Sequence, residues 1–210
     1  MVEYKTIKGK SQSRLTIKKS EFIGQIFPVT TQQQVQEILD QVRKEYWDAT
    51  HNCWAAIVGA SKEWMRYSDD GEPQGTAGVP ILETLQKSGL TNVLAVSTRY
   101  FGGVLLGAGG LVRAYTKSIA SAIEEAQQIA MRPHFIFTCE FPFKLWGKAQ
   151  AYLLANGHVI QDIQYGTNVT CQIGISEQLV EKFRADLMEM SGGQLDLSVF
   201  YEDYLEILLK

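Results

Sequence analysis

The chain reads as an α+β protein built from two consecutive domains, and three features of the sequence predict it. Up to about residue 130, short apolar runs of strand character alternate with stretches of helical periodicity. Beyond that point the order is strand, helix, strand, strand, helix, strand, the βαββαβ order of a ferredoxin-like domain. Between the two, Arg132-Pro133 marks a boundary, because the residue before a proline is pushed out of the helical region. The expected domains are therefore 1–131 and 132–210.

The elements follow in order. From about Glu3 to Val29 the chain is extended and opens with a hairpin: Leu15 and Ile17 alternate with polar neighbours, and Phe22, Ile23, Ile26 and Phe27 follow a Lys-Lys-Ser-Glu turn. Thr30 and Thr31 cap a helix on which Val35, Ile38, Leu39, Val42 and Tyr46 form one apolar face, with Gln34 as capping-box partner. Cys53 to Val58 is a continuous apolar run ending at Gly59, which suits a strand covered on both faces, and Trp64 to Tyr67 pairs with it. A turn, Ser68-Asp69-Asp70-Gly71-Glu72-Pro73, leads to a short helix with Pro80 in its first turn, Ile81, Leu82 and Leu85 on its apolar face and Gly89 at its end. Asn92 to Tyr100 is a further central strand. Gly102 to Gly110 is too rich in glycine for regular structure, and a helix runs from Leu111 to about Gln128. The second domain comprises strand Phe135 to Phe141, helix Lys144 to Asn156, strands Val159 to Tyr165 and Asn168 to Ile175, helix Glu177 to Met190, and strand Leu195 to Tyr204.

Bulk properties exclude several classes. A net charge of −3 is incompatible with coating nucleic acid by bulk electrostatics, although a local basic site is compatible with it. No run approaches the roughly 18 apolar residues of a membrane helix. The first residues lack the apolar core of a signal peptide, so the cytoplasm is the expected location. Cys53, Cys139 and Cys171 show no CxxC spacing and read as reduced, mostly buried thiols.

Four stretches of the first domain are unusual in residue type: 48–54, 67–78, 99–103 and 106–115. They fall at strand starts, strand ends and a helix N-terminus, positions that can converge on one rim of a sheet. In Gly107-Ala108-Gly109-Gly110-Leu111-Val112-Arg113 the glycines permit close backbone approach and the following helix offers unpaired amides, a geometry suited to an anion. Arg99, Arg113 and Lys117 add positive charge, the last two sharing one helical face. With Gly102, Gly103, Gly107, Gly109 and Gly110 they form the expected phosphate-binding rim. The alternative is that the glycines only make tight turns and let the helix pack closely. Neither a P-loop nor a dinucleotide spacing is present.

Asp69, Asp70 and Glu72 could hold a divalent cation or supply a general base. The preferred alternative is a charged turn whose Asp side chains bond backbone amides and partner Arg99 or Arg113. His51 and Cys53, two apart on a strand, point to one face and admit a metal pair or a Cys/His nucleophile. No third ligand has recognisable spacing, and Cys53 is read as a buried apolar residue. No metal and no cofactor is expected, and His134 and His158 receive no role.

The segments 48–53, 68–78 and 98–115 together closely resemble the IMPACT/YigZ family, in its bacterial two-domain form. The resemblance is dense from about residue 48 to 120, and beyond it rests on element order. It implies a first domain with the fold of the second domain of a small-subunit ribosomal protein, an α/β sandwich shared with the fourth domain of elongation factor G. The second domain would be ferredoxin-like, similar to the C-terminal domain of that factor. Some bacterial members carry a second histidine where this chain has Asn52, which further weakens a metal reading. Eukaryotic members regulate translation through protein partners. The resemblance thus implies a translation-associated regulatory or RNA/ribosome-binding protein without catalytic activity, its partner being RNA or a ribosome-associated protein. One alternative is a small-molecule enzyme for an anionic substrate, with the acidic turn as base. Another is a protein-interaction module, which would expose apolar side chains near that turn, with Tyr100 and Phe101 as candidates.

Overall fold

A computed structural model describes residues 1–195 and 198–208. The chain divides into two compact units, in the main Val2–Ala130 and Met131–Ile207.

The first unit contains β1 (Tyr4–Ile7), β2 (Ser11–Ile17), β3 (Ser20–Pro28), α1 (Gln32–Glu45), β4 (His51–Val58), β5 (Trp64–Ser68), α2 (Gly78–Ser88), β6 (Val93–Tyr100) and α3 (Ala108–Glu124). Its sheet has the strand order β2-β3-β6-β4-β5, with every neighbouring pair antiparallel. Strand periodicity sorts the apolar runs to two faces. Phe22, Ile26, Cys53, Ala55, Ile57, Val93 and Ala95 pack with Ile81 and Leu85 of α2 and Tyr115 and Ile119 of α3. Ile23, Ala56, Val58, Leu94 and Val96 pack with Val35, Leu39 and Val42 of α1. Cover on both faces explains why β4 and β6 read as unbroken apolar blocks. The α1 N-terminus forms as expected: Thr31 Oγ1 accepts from the Gln34 amide, and Gln34 Oε1 accepts from the Thr30 amide.

Three boundaries differ from the sequence reading. The opening extended segment is three strands, not one hairpin. Helix α3 begins at Ala108, so Gly109 and Gly110 sit in its first turn, and it ends at Glu124. The strand expected from Phe135 begins earlier, as β7 (Gln128–Phe141), which carries Arg132-Pro133 within it, because the extended conformation imposed before proline is compatible with a strand.

The second unit continues β7 with α4 (Phe143–Ala155), β8 (Val159–Tyr165), β9 (Val169–Ile175), a single 3₁₀ turn, α5 (Val180–Ser191) and β10 (Ser198–Leu208). Strands lie in the order β10-β7-β9-β8. Phe137, Phe141, Leu153, Ile173, Phe183 and Leu187 fill its core. Of the strand expected from Leu195, Asp196 and Leu197 lie outside the described residues.

Candidate functional site

Register places four segment ends of the first unit together. His51 at the start of β4 opposes Arg99 near the end of β6, and Glu21 at the start of β3 opposes Tyr100. Ser68 at the end of β5 opposes Trp54, so the acidic turn emerges at the same end of the sheet. The β2–β3 connection also lies here: Ile17 opposes Ser20, leaving a two-residue loop, Lys18-Lys19, with φ of 45° and 69°. Two consecutive left-handed residues are the signature of a type I′ hairpin turn, normally made by Asn-Gly.

A cleft of about 400 Å³ opens at this end, with His51, Glu72, Arg99, Phe101, Leu106 and Leu111 among its lining. At its base lies a buried charge pair. Arg99 Nη1 donates to Glu72 Oε1 at 2.6 Å, and the Tyr115 hydroxyl donates to the same oxygen at 2.7 Å. Arg99 is only 5% exposed. The Phe22 and Phe101 rings lie on its guanidinium, each centroid 5.4 Å away, and Ser20 Oγ accepts from Nη2. Arg99, expected in a phosphate-binding rim, lines the cleft as the strand partner of His51 and Phe22, but it projects beneath α3, where Glu72 already matches its charge.

The acidic turn is organised as a set of acceptors. Asp69 accepts the amides of Gly75, Ala77 and Gly78 at 2.8–3.0 Å. Burial opposes its ionisation, but these donors outweigh it and hold the carboxyl below its ordinary pKa. Asp70 Oδ2 accepts the Asn52 amide at 2.6 Å, and the Asp70 carbonyl bonds His51 Nδ1 at 2.8 Å. A carbonyl can only accept, so Nδ1 carries the proton; Nε2, on the cleft side, stands 3.9 Å from Glu72. Cys53 Sγ donates to the Asp69 carbonyl. Burial, with Glu72, Asp70 and Asp69 adding to it against the opposing Tyr115 hydroxyl, holds that thiol well above its ordinary pKa, the reverse of an activated nucleophile.

The glycines divide by role. Gly102 lies against the Lys18-Lys19 turn, where a Cβ would overlap the Lys19 carbonyl, and its amide donates to Ser20 Oγ. Gly103 and Gly107 have φ of 79° and 72°, the left-handed region that favours glycine. Gly107 caps α3 without a side-chain acceptor, leaving the first amides of the helix, including those of Gly109 and Gly110, unclaimed by a cap. Arg113 leans back over Gly109, as helix side chains do, and both Arg113 and Lys117 are exposed. Tyr100 projects to the α1 face, where its hydroxyl donates to Asp48, and so does not join the cleft; burial and Asp48 push its pKa up to about 12. Asn52 shares that face through Thr98, so a histidine there would not stand beside His51. Among the described residues no group of His, Cys, Asp and Glu is placed to hold a metal ion.

Sequence reading missed Tyr115 and Ser20, which complete the charge pair; both look like ordinary core and strand-start residues in one dimension. Phe101, a candidate exposed side chain in that reading, is 46% exposed, but its neighbours in the apolar rim, Leu105 at 82% and Val104 at 37%, were missed.

The molecule is thus a mixed α/β protein of two units, the first carrying an apolar cleft over a buried Glu-Arg pair. No helix among the described residues is long and apolar enough to cross a membrane. The chain belongs to the IMPACT family: residues 18–123 match the Impact N-terminal domain, and residues 139–194 match a domain of unknown function, DUF1949. It is 36% identical to IMPACT family member YvyE of Bacillus subtilis (strain 168), covering 97% of this chain and 94% of that protein. It is 34% identical to IMPACT family member YigZ of Escherichia coli (strain K12), over 89% and 92% of the two chains. A crystal structure of a hypothetical protein matches with a TM-score of 0.63 and 31% identity, covering 96% and 98%.

Proposed function

We propose that the chain is a translation-associated regulatory protein of the cytoplasm that works by docking a ribosome-associated protein at the cleft of its first unit, not by catalysis. Family membership supports the link to translation, because the resemblance implies kinship with eukaryotic members that regulate that process through protein partners. The observation that carries the docking reading is the exposed aliphatic rim of Val104 and Leu105 beside a cleft whose internal charges already have partners. A phosphate-binding rim is less well supported, because Arg99 is engaged by Glu72. A general base in the turn is less well supported too, because Asp69, Asp70 and Glu72 all accept structural hydrogen bonds. The βαββαβ order and the strand order β10-β7-β9-β8 support a ferredoxin-like second unit similar to the C-terminal domain of elongation factor G. By resemblance, the first unit takes the ribosomal-protein fold.

Sedimentation with ribosomes tests this. Wild type should co-sediment, and Leu105→Asp should release it. Arg113→Ala/Lys117→Ala should retain association at low ionic strength. The reading fails if nothing co-sediments. It also fails if Leu105→Asp is silent while the two charge losses flatten the salt dependence by about two units between about 50 and 200 mM salt, as lost phosphate contacts would.

A further inference from the structure

We infer that the cleft recognises a short protein segment combining a large aliphatic or aromatic anchor with flanking carboxylates. This rests on the docking reading and names the chemistry of its partner.

The charges around the cleft are sorted unequally. Every carboxylate at this end of the sheet has a partner: Glu21 has Arg14, Asp48 has the Tyr100 hydroxyl, Asp69 and Asp70 have backbone amides, and Glu72 has Arg99 and Tyr115. The cations do not. Lys18, Lys19, Arg113 and Lys117 are exposed and make no ion pair among the described residues. A chain with a net charge of −3 therefore presents four exposed cations without an ion-pair partner here, while Asp48, Asp69 and Asp70 keep their charges on neutral donors within the fold.

Two of those cations stand where the backbone disfavours them. Lys18 and Lys19 both have positive φ at a turn that Asn-Gly would satisfy without steric conflict. Gly102, next to the cleft residue Phe101, lies directly on this turn. Side chains kept at a strained position beside a cleft point to a use for their charge.

RNA also carries negative charge, but the rim does not suit bases. Single strands are held by successive stacking on aromatic or guanidinium planes, whereas Phe101 is the one exposed aromatic in the cleft lining, the Arg99 guanidinium is buried beneath it, and the exposed Arg113 is outside that lining. Leu105, Leu106 and Leu111 supply the remaining apolar lining along with Pro73 and Ala108. A cleft of about 400 Å³ has room for one or two large apolar side chains, with neighbouring carboxylates reaching Arg113, Lys117 and the hairpin tip.

Selection of a displayed random short-peptide library on the full-length protein, followed by fluorescence anisotropy of the enriched peptides, tests the inference. Enriched sequences should pair Leu, Ile, Met or Phe with net negative charge. Leu105→Asp should weaken them at least about tenfold. Lys18→Ser/Lys19→Ser and Arg113→Ser should each weaken them by about three- to tenfold and reduce the salt dependence. All the altered side chains are exposed, and unchanged circular dichroism would show that folding is intact. Enrichment of basic or uncharged peptides would overturn the inference, as would displacement of the enriched peptides by oligouridylate through a contact indifferent to Leu105→Asp. If no peptide is enriched while ribosome association still depends on Leu105, this inference falls and the docking reading stands; loss of both removes both.

Discussion

Removing the Glu72 carboxylate provides the most direct measure of what holds the cleft together. In Glu72→Ala the Arg99 guanidinium remains beneath Phe101, 5% exposed, with only the Ser20 hydroxyl as acceptor, and the Tyr115 hydroxyl loses its partner as well. Breaking a buried pair by deleting one member costs about 3–5 kcal/mol, because the survivor keeps its desolvation penalty without its counter-charge. Against a domain stability of about 5–15 kcal/mol, this leaves the first unit marginal. Trp47, Trp54 and Trp64 lie in the first unit and Trp146 in the second, so tryptophan fluorescence during urea unfolding reports mainly on the unit concerned. Glu72→Gln keeps an acceptor for Tyr115 and should lose less. The double variant Glu72→Leu/Arg99→Met should lose less than the sum of its parts, with a coupling of about 2 kcal/mol. A loss below about 1 kcal/mol in Glu72→Ala, the range of solvated surface pairs, would refute the reasoning.

Other expectations follow from single contacts. Asp69→Asn should destabilise the first unit by about 1.5–3 kcal/mol in urea, because the three amides lose a charged acceptor. Since the folded pKa of Asp69 is depressed, its contribution should be complete above about pH 4 and vanish as the pH falls through the folded value, so acid titrations of wild type and Asp69→Asn should converge. His158 is buried against Tyr152 and Phe183; burial, with Lys182 adding to it and Asp186 opposing, lowers its pKa. Stability of the second unit should therefore be full above about pH 6.5 and decline as the pH falls from there through the folded value, a dependence that urea melts of His158→Phe should lack. Gly24→Ala should cost about 1–3 kcal/mol at an unchanged denaturant slope, because the new Cβ overlaps the Ser118 carbonyl where α3 crosses β3.

Much of the fold could be read from local pattern because local pattern is what shapes it. The blocks at Cys53–Val58 and Asn92–Tyr100 announce a sheet covered twice, and the Thr31/Gln34 capping box fixes the start of α1. Where reading failed, the deciding contact was long-range. Gly109 and Gly110 disfavour a helix locally, yet α3 starts at Ala108, where Leu111, Ala114 and Tyr115 anchor its first turns in the core. The convergence of segments 48–54, 67–78, 99–103 and 106–115 was legible, because strand starts and ends of such residue types share a rim. The orientation of Arg99 was not: its strand parity sends it inward, and parity depends on a register that pairing alone defines. Tyr100 turned the other way for the same reason.

The hairpin tip sets stability against recognition. A left-handed residue with a side chain costs about 1–2 kcal/mol relative to one without, so Lys18→Asn/Lys19→Gly should raise the urea midpoint of the first unit while stripping two charges from the cleft margin. Screening this protein for heat tolerance alone would thus reward the very exchange that blunts partner capture, and lineages that retain the lysines would be those in which capture outweighs robustness.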